Sequence, residues 1–196
     1  MKIVNKYLHL LKQSLGTAAP AELTSLNTAQ GATAADLAAL KTAYPECPKA
    51  LLALLEQIDG TYHREYAGNK ISVYLLGSDI AEYPYYLLST AQMLTHAKST
   101  GTISDIYAGF VEDIDLEASI DVDLPLGKWL HFADCMNNGG TSQLFIDFDP
   151  LEGGVKGQIV RFLHDPDGYD VIADSFEEYL QHLIDDEFDF LQAYTG

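Results

Sequence analysis

Residues 128–165 read KWLHFADCMNNGGTSQLFIDFDPLEGGVKGQIVRFLHD, and this stretch decides the fold. KWLHFAD, SQLFIDFDP and GQIVRFLHD are three β-prone runs rich in aromatic and branched residues. Asn137-Asn138-Gly139-Gly140 and Glu152-Gly153-Gly154-Val155 separate them, so the expectation is an antiparallel meander. Downstream, Ser175-Phe176-Glu177-Glu178 opens a long closing helix with Phe176, Tyr179, Leu180, Leu183 and Ile184 on one face.

Upstream the period is helical. Ile3, Tyr7, Leu10 and Leu11 predict an amphipathic helix over residues 2–15 that ends at Gly16. A Thr/Ala/Pro-rich stretch to Ala32 reads as a linker. Thr33-x-x-Asp36 has the form of a capping box opening a helix over Ala34–Ala43. Pro48 suits the first turn of a further helix through Ile58, stopped at Gly60. TYHREY and KISVYLL, parted by Ala67-Gly68-Asn69, predict a hairpin; residues 84–88 predict a short strand; and Ser89 caps a helix to about Lys98. The segment from Gly101 to Gly127 is irregular and acidic. Helices, strands and a helix in that order predict an α+β fold, with helices packed on a largely antiparallel sheet. The expected organisation is one domain over residues 1–196, with a helix and linker in 1–32 and the core in 33–196.

With 196 residues the chain can bury roughly 70% of the surface its unfolded form exposes, and it needs no metal or disulfide to fold. Its 29 acidic and 11 basic residues give a net charge of −18. That balance excludes nucleic acid and anionic membranes as partners, since both are bound by neutralising negative charge. It favours solubility, and encounter with a basic partner. The two cysteines, Cys47 and Cys135, lie in no zinc or redox spacing and read as free thiols in a reducing compartment. Polar residues interrupt any leader core near the N-terminus and no apolar run approaches a membrane span, so the expected location is the cytoplasm.

Each candidate for chemistry meets a positional test. HDPDGYD from His164 places Tyr169, Asp170 and Phe176 where a calcium loop counted from Asp165 needs a ligand, a glycine and a bidentate glutamate. Asp-Pro-Asp-Gly is therefore a β-turn. His131, Asp134 and Cys135 are possible metal ligands, but strand alternation sends His131 and Asp134 to opposite faces, and a distant His63, His164 or His182 would have to complete the set. Nothing beside Cys135 in sequence lowers its pKa. Asn-Asn-Gly-Gly-Thr-Ser leads into a strand and has no lysine, unlike a phosphate-binding loop.

Asp147 and Asp149 share a strand face with Phe145, while Leu144, Ile146 and Phe148 share the other. Paired carboxylates can serve glycoside hydrolysis, but no pKa-raising pocket is evident in the sequence. A solvated face opposite an apolar one is the expectation, with a protein-binding face as the second reading. Asp113, Asp115, Glu117, Asp121 and Asp123 read the same way, either as solvated surface or as a contact loop for a basic partner.

W-x-x-F-A-D at Trp129–Asp134, the Gly-Gly turn, LFIDFDP, GQIVRFLHD and SFEEYLQHLI occur together and in order. The series resembles the SUKH superfamily, the family of the yeast cell-wall-assembly regulator, in its single-domain bacterial form. YPECPKALLALLEQIDG extends the resemblance, with Tyr44-Pro45 for the family's Leu-Pro and Asp59-Gly60 for its Asn-Gly, so that about residues 33–185 are covered. The resemblance implies an α+β fold and a non-enzymatic role with no catalytic residues, and after the positional tests above no metal and no cofactor are expected. It also implies a protein-binding role, often that of an immunity protein neutralising a toxin such as a nuclease, or otherwise of a general intracellular interaction module. Trp129, Gly139, Gly140, Gly157 and Phe176 match positions that are structural in the family. A basic toxin domain is the expected partner, met through Asp113, Asp115, Asp121, Asp123, Asp147 and Asp149.

Overall fold

The computed structural model describes residues 2–137 and 140–195. Helices α1 (Lys2–Ala18), α2 (Pro20–Leu26), α3 (Ala34–Ala43) and α4 (Lys49–Leu55) come first. The β1–β2 hairpin (Arg64–Tyr66, Asn69–Ile71), strand β3 (Tyr86–Leu87) and helices α5 (Thr90–His96) and α6 (Ile103–Ile106) follow. Strands β4 (Asp115–Leu116), β5 (Leu130–Asn137), β6 (Gly140–Asp147), β7 (Gln158–Leu163) and β8 (Gly168–Ala173) and helix α7 (Phe176–Asp185) complete the fold. The order in the six-stranded sheet is β3-β5-β6-β7-β8-β4; every pairing is antiparallel except β4 with β8. The fold is α+β, with helices on a mostly antiparallel sheet.

Local chemistry sets several of these boundaries. Thr33 and Asp36 form the expected reciprocal capping box, and Ser89 and Gln92 form a second. Ser175 accepts from the Glu178 N–H at the start of α7, which spans ten residues. Gly60, at φ +86°, lets the chain turn where a Cβ would stand 2.6 Å from the Ser89 nitrogen. Asp59 beside it accepts from the Thr90 N–H at 2.8 Å and from Arg64 at 2.9 Å, tying α5 to the hairpin.

Three expectations are corrected. The stretch before Ala32 is not a plain linker: it contains α2, which begins with Pro20 at its first position and folds back on α1. A fourth meander strand, β8, follows the Asp-Pro-Asp-Gly turn. The acidic segment, expected to be irregular, supplies α6, the parallel edge strand β4 and two 3-10 turns, Val111–Asp113 and Leu126–Lys128.

The sheet is covered on both faces. Leu130, Phe132, Leu144, Ile146 and Ile159 join α1, α4 and α7 in the larger core, around Tyr7, Leu11, Leu51, Leu180 and Phe176. On the other face Trp129, Phe145, Val160 and Tyr169 pack with Ile103 and Ile120, and Ile114, Leu116, Val122 and Leu124 lean against them. The acidic segment therefore carries its own apolar underside. At about 1.5–3 kcal/mol for each large apolar side chain buried, that underside holds the segment to the sheet.

Candidate partner-binding face

Residues 99–127 hold seven acidic residues and no Lys or Arg. Asp115 and Leu116 pair with Gly168 and Tyr169 at the β4 edge. Beyond them Glu117 continues the ladder: its N–H donates to the Tyr169 carbonyl at 3.1 Å and its Oε2 accepts from the Val171 N–H at 2.9 Å. Tyr107 donates its hydroxyl to the Asp167 carboxylate in the β7–β8 turn. Ser104 donates to Asp123 at 2.7 Å, and Asp121 accepts from the Asp123 N–H at 3.0 Å. These bonds fix the segment at both ends and in the middle.

The expected partner-binding residues separate into three groups. Asp113 and Asp115 are exposed, and among the described residues their carboxylates have no hydrogen-bond or ion-pair partner. Asp123 is exposed and Asp121 half-buried, and both are partly engaged within the segment. Asp149 is exposed and stands at the rim of a cleft lined by Tyr44, Pro45, Glu46, Lys128 and Phe148.

Asp147 departs from expectation, being 0% exposed. Its carboxylate accepts from Gln158 Nε2 at 3.1 Å and from the Asp149 N–H at 2.9 Å. Burial pushes its pKa up, and those two bonds, with a weaker attraction to the nearby Trp129 indole, pull it back. Strand alternation was misleading for two reasons. The face it shares with Phe145 is covered by the acidic segment, and β6 ends at Asp147, so Asp149 no longer follows the pleat. Asp147 holds the β6–β7 connection and presents nothing to a partner.

The residues expected to be structural lie as follows. Trp129 and Phe176 are fully buried, Gly157 sits at φ +91°, and a Cβ on Gly140 would collide with the His164 ring at 2.2 Å. Gly139 falls outside the described residues.

His131 and Asp134 are not on opposite faces. A bulge between His131 and Ala133 shifts the register of β5, and His131 Nε2 lies 2.9 Å from Asp134 Oδ1. His96 stands edge-on to His131 with ring centroids 4.8 Å apart. Burial, then the neighbouring His131, lowers the His96 pKa to about 4. Cys135 is buried and its thiol is pushed up to about 12, away from the thiolate a nucleophile requires. Among the described residues no three His, Cys, Asp or Glu side chains gather in a metal-holding arrangement. No helix among them is long and apolar enough to cross a membrane.

The arrangement has the form of an acidic segment anchored on a sheet edge, with the Asp113 and Asp115 carboxylates facing solvent. The model of the SMI1/KNR4 family (SUKH-1) matches residues 31–182, spanning the sheet, helices α3–α6, most of α7 and this acidic face. The chain belongs to that family. Among curated proteins none matches this SUKH-1 chain. The matched region begins just before the Thr33 cap and ends within α7, so α1 and α2 lie outside it.

Sequence reasoning missed two residues on the SUKH-1 acidic face. Ile106 and Phe110 are 57% and 66% exposed. Their signal in the sequence was a pair of large apolar residues inside a run of acids, but the pattern gave no means of separating them from the buried Ile103 and the half-buried Tyr107.

Proposed function

We propose that the chain is a non-enzymatic protein-binding domain, an immunity protein that neutralises a basic toxin domain by occupying its surface. The observation that carries this reading is the unpaired pair Asp113, in the turn before β4, and Asp115, on β4, within a segment lacking any basic residue. A fixed field of one sign raises the encounter rate with a partner of the other sign and repels wrong ones. Many nucleases are basic because they bind phosphates, which makes them a suitable partner class. Membership of the SUKH-1 family supports a protein-interaction role. An immunity protein of this kind works in the cytoplasm, where the toxin would act.

The test is a pull-down with the purified chain at low and high salt, using as prey a basic toxin domain encoded beside its gene. Capture at low salt, weakened at high salt, together with protection of cells expressing the toxin, supports the reading. Failure to bind such a toxin, or any protein, at low salt would sink it.

A further inference from the structure

Ile106 and Phe110 stand in solvent although the sheet beside them offers a core. Ile103, three residues earlier, is fully buried in that core, and Tyr107 packs against it. The backbone around the two exposed residues is held by its own bonds. The Tyr107 N–H donates to the Ile103 carbonyl at 3.0 Å, the Phe110 N–H to the Tyr107 carbonyl at 2.6 Å, and the Asp113 N–H to the Phe110 carbonyl at 3.0 Å. Gly109 turns the chain at φ +84°. Single exposed apolar residues are ordinary on a monomer. Here two large ones are presented from two successive hydrogen-bonded turns, and exposed Asp105, Glu112, Asp113 and Asp115 flank them in the chain.

We propose that Phe110 and Ile106 are the apolar anchors of the acidic face, and that the partner is a basic protein whose contact surface sets an apolar pocket within a ring of Lys or Arg. This rests on the protein-binding reading above and adds what the partner must look like. Charge complementarity selects the occupant. An anionic lipid surface is repelled by the flanking carboxylates, and a second copy would bring two like-charged segments together. The division of labour is kinetic: charges around a contact govern how fast partners meet, while desolvated anchors govern how long they stay.

The full chain carrying p-benzoylphenylalanine at position 110 is irradiated in lysate of the producing cells, beside a control carrying it at exposed Glu177 on α7. One adduct is expected, to a protein of net positive charge, formed from position 110 and absent from the control, and largely lost when Asp113→Asn and Asp115→Asn are added. With that partner purified, Phe110→Ala and Ile106→Ala should each raise the dissociation rate about tenfold while leaving the association rate within about twofold. Phe110→Leu should restore most of the residence time. An adduct to the chain itself, to lipid or to an acidic protein would overturn the proposal, as would no adduct at all. So would a dissociation rate unmoved by both alanines; in that case wild-type binding would leave the acidic-face reading intact, whereas loss of all binding by the wild type would remove both.

Discussion

Gln158 ties Asp147 on β6 to Val155 in the β6–β7 connection, using both ends of its amide. Nε2 donates to the Asp147 carboxylate at 3.1 Å, and Oε1 accepts from the Val155 N–H at 3.0 Å. The β6–β7 connection is therefore closed around a buried carboxylate, which also accepts from the Asp149 N–H. Asp147→Ala leaves these donors without a partner and should cost about 1–3 kcal/mol. Asp147→Asn keeps an acceptor without a buried charge and should cost less. Because burial raises the Asp147 pKa above its ordinary value, its contribution to stability is fullest at acid pH and is lost as pH rises through the raised pKa. The wild type should thus gain on the Asn variant as pH falls through that window. Urea midpoints of the three proteins across the acid range decide it, and an alanine variant as stable as wild type would refute the structural role.

Arg161 makes an asymmetric ion triad. Its side chain is 6% exposed and bonds Asp79 at 2.6 and 2.9 Å and Asp170 at 2.9 Å, while those carboxylates are 44% and 38% exposed. Removing Asp79 leaves a buried guanidinium short of a partner, whereas removing Arg161 leaves two carboxylates that water can reach. Asp79→Ala should therefore destabilise more than Arg161→Met, about 2–4 kcal/mol against about 1. Chemical denaturation of both variants gives the order, and the reverse order would show that the triad stabilises through attraction rather than through avoided desolvation.

What the sequence disclosed follows the range of the interactions. The Thr33 capping box and the Ser89 cap were legible because each closes within four residues. The three-strand meander was legible because its turns and its alternation are local. The role of residues 103–127 was not: β4 is two residues long and pairs in parallel with a strand far along the chain, so no periodicity marks it. The same gap made Asp147 look solvated, since its cover is that unseen segment. The bulge that brings His131 to Asp134 likewise leaves no signal in residue type. Of the proposed acidic face, the charges of Asp113 and Asp115 were legible in the sequence, whereas the exposure of Ile106 and Phe110 depends on how residues 103–113 turn over the sheet.

His96 gives the fold a pH dependence of its own. Burial, with His131 beside it, lowers its pKa from 6.5 to about 4, so the folded state prefers the neutral ring. A group with a depressed folded pKa contributes stability that is full above its unfolded value. That contribution erodes as pH falls from 6.5 toward 4. His96→Gln, which retains a donor for the Leu126 carbonyl that His96 meets at 3.1 Å, should lose less stability than wild type between about pH 7 and about pH 4.5. Parallel pH profiles for the two proteins would exclude His96 as the cause.

Asp113 and Asp115 should separate binding from folding. Neither carboxylate is used within the described fold, and the chain carries a net charge of −18, so removing either charge relieves self-repulsion. Asp113→Asn and Asp115→Asn should leave stability within about 0.5 kcal/mol of wild type or raise it slightly. On the proposed function, the same substitutions weaken the field that draws in a basic partner. The association rate should then fall by several-fold at low ionic strength, with the deficit shrinking as salt screens the field over a Debye length of about 8 Å at physiological strength. Thermal melting together with stopped-flow association at two salt concentrations tests both halves. A loss of stability would mean that the carboxylates serve the fold, and an association rate indifferent to charge and salt would mean that this face does not steer the partner.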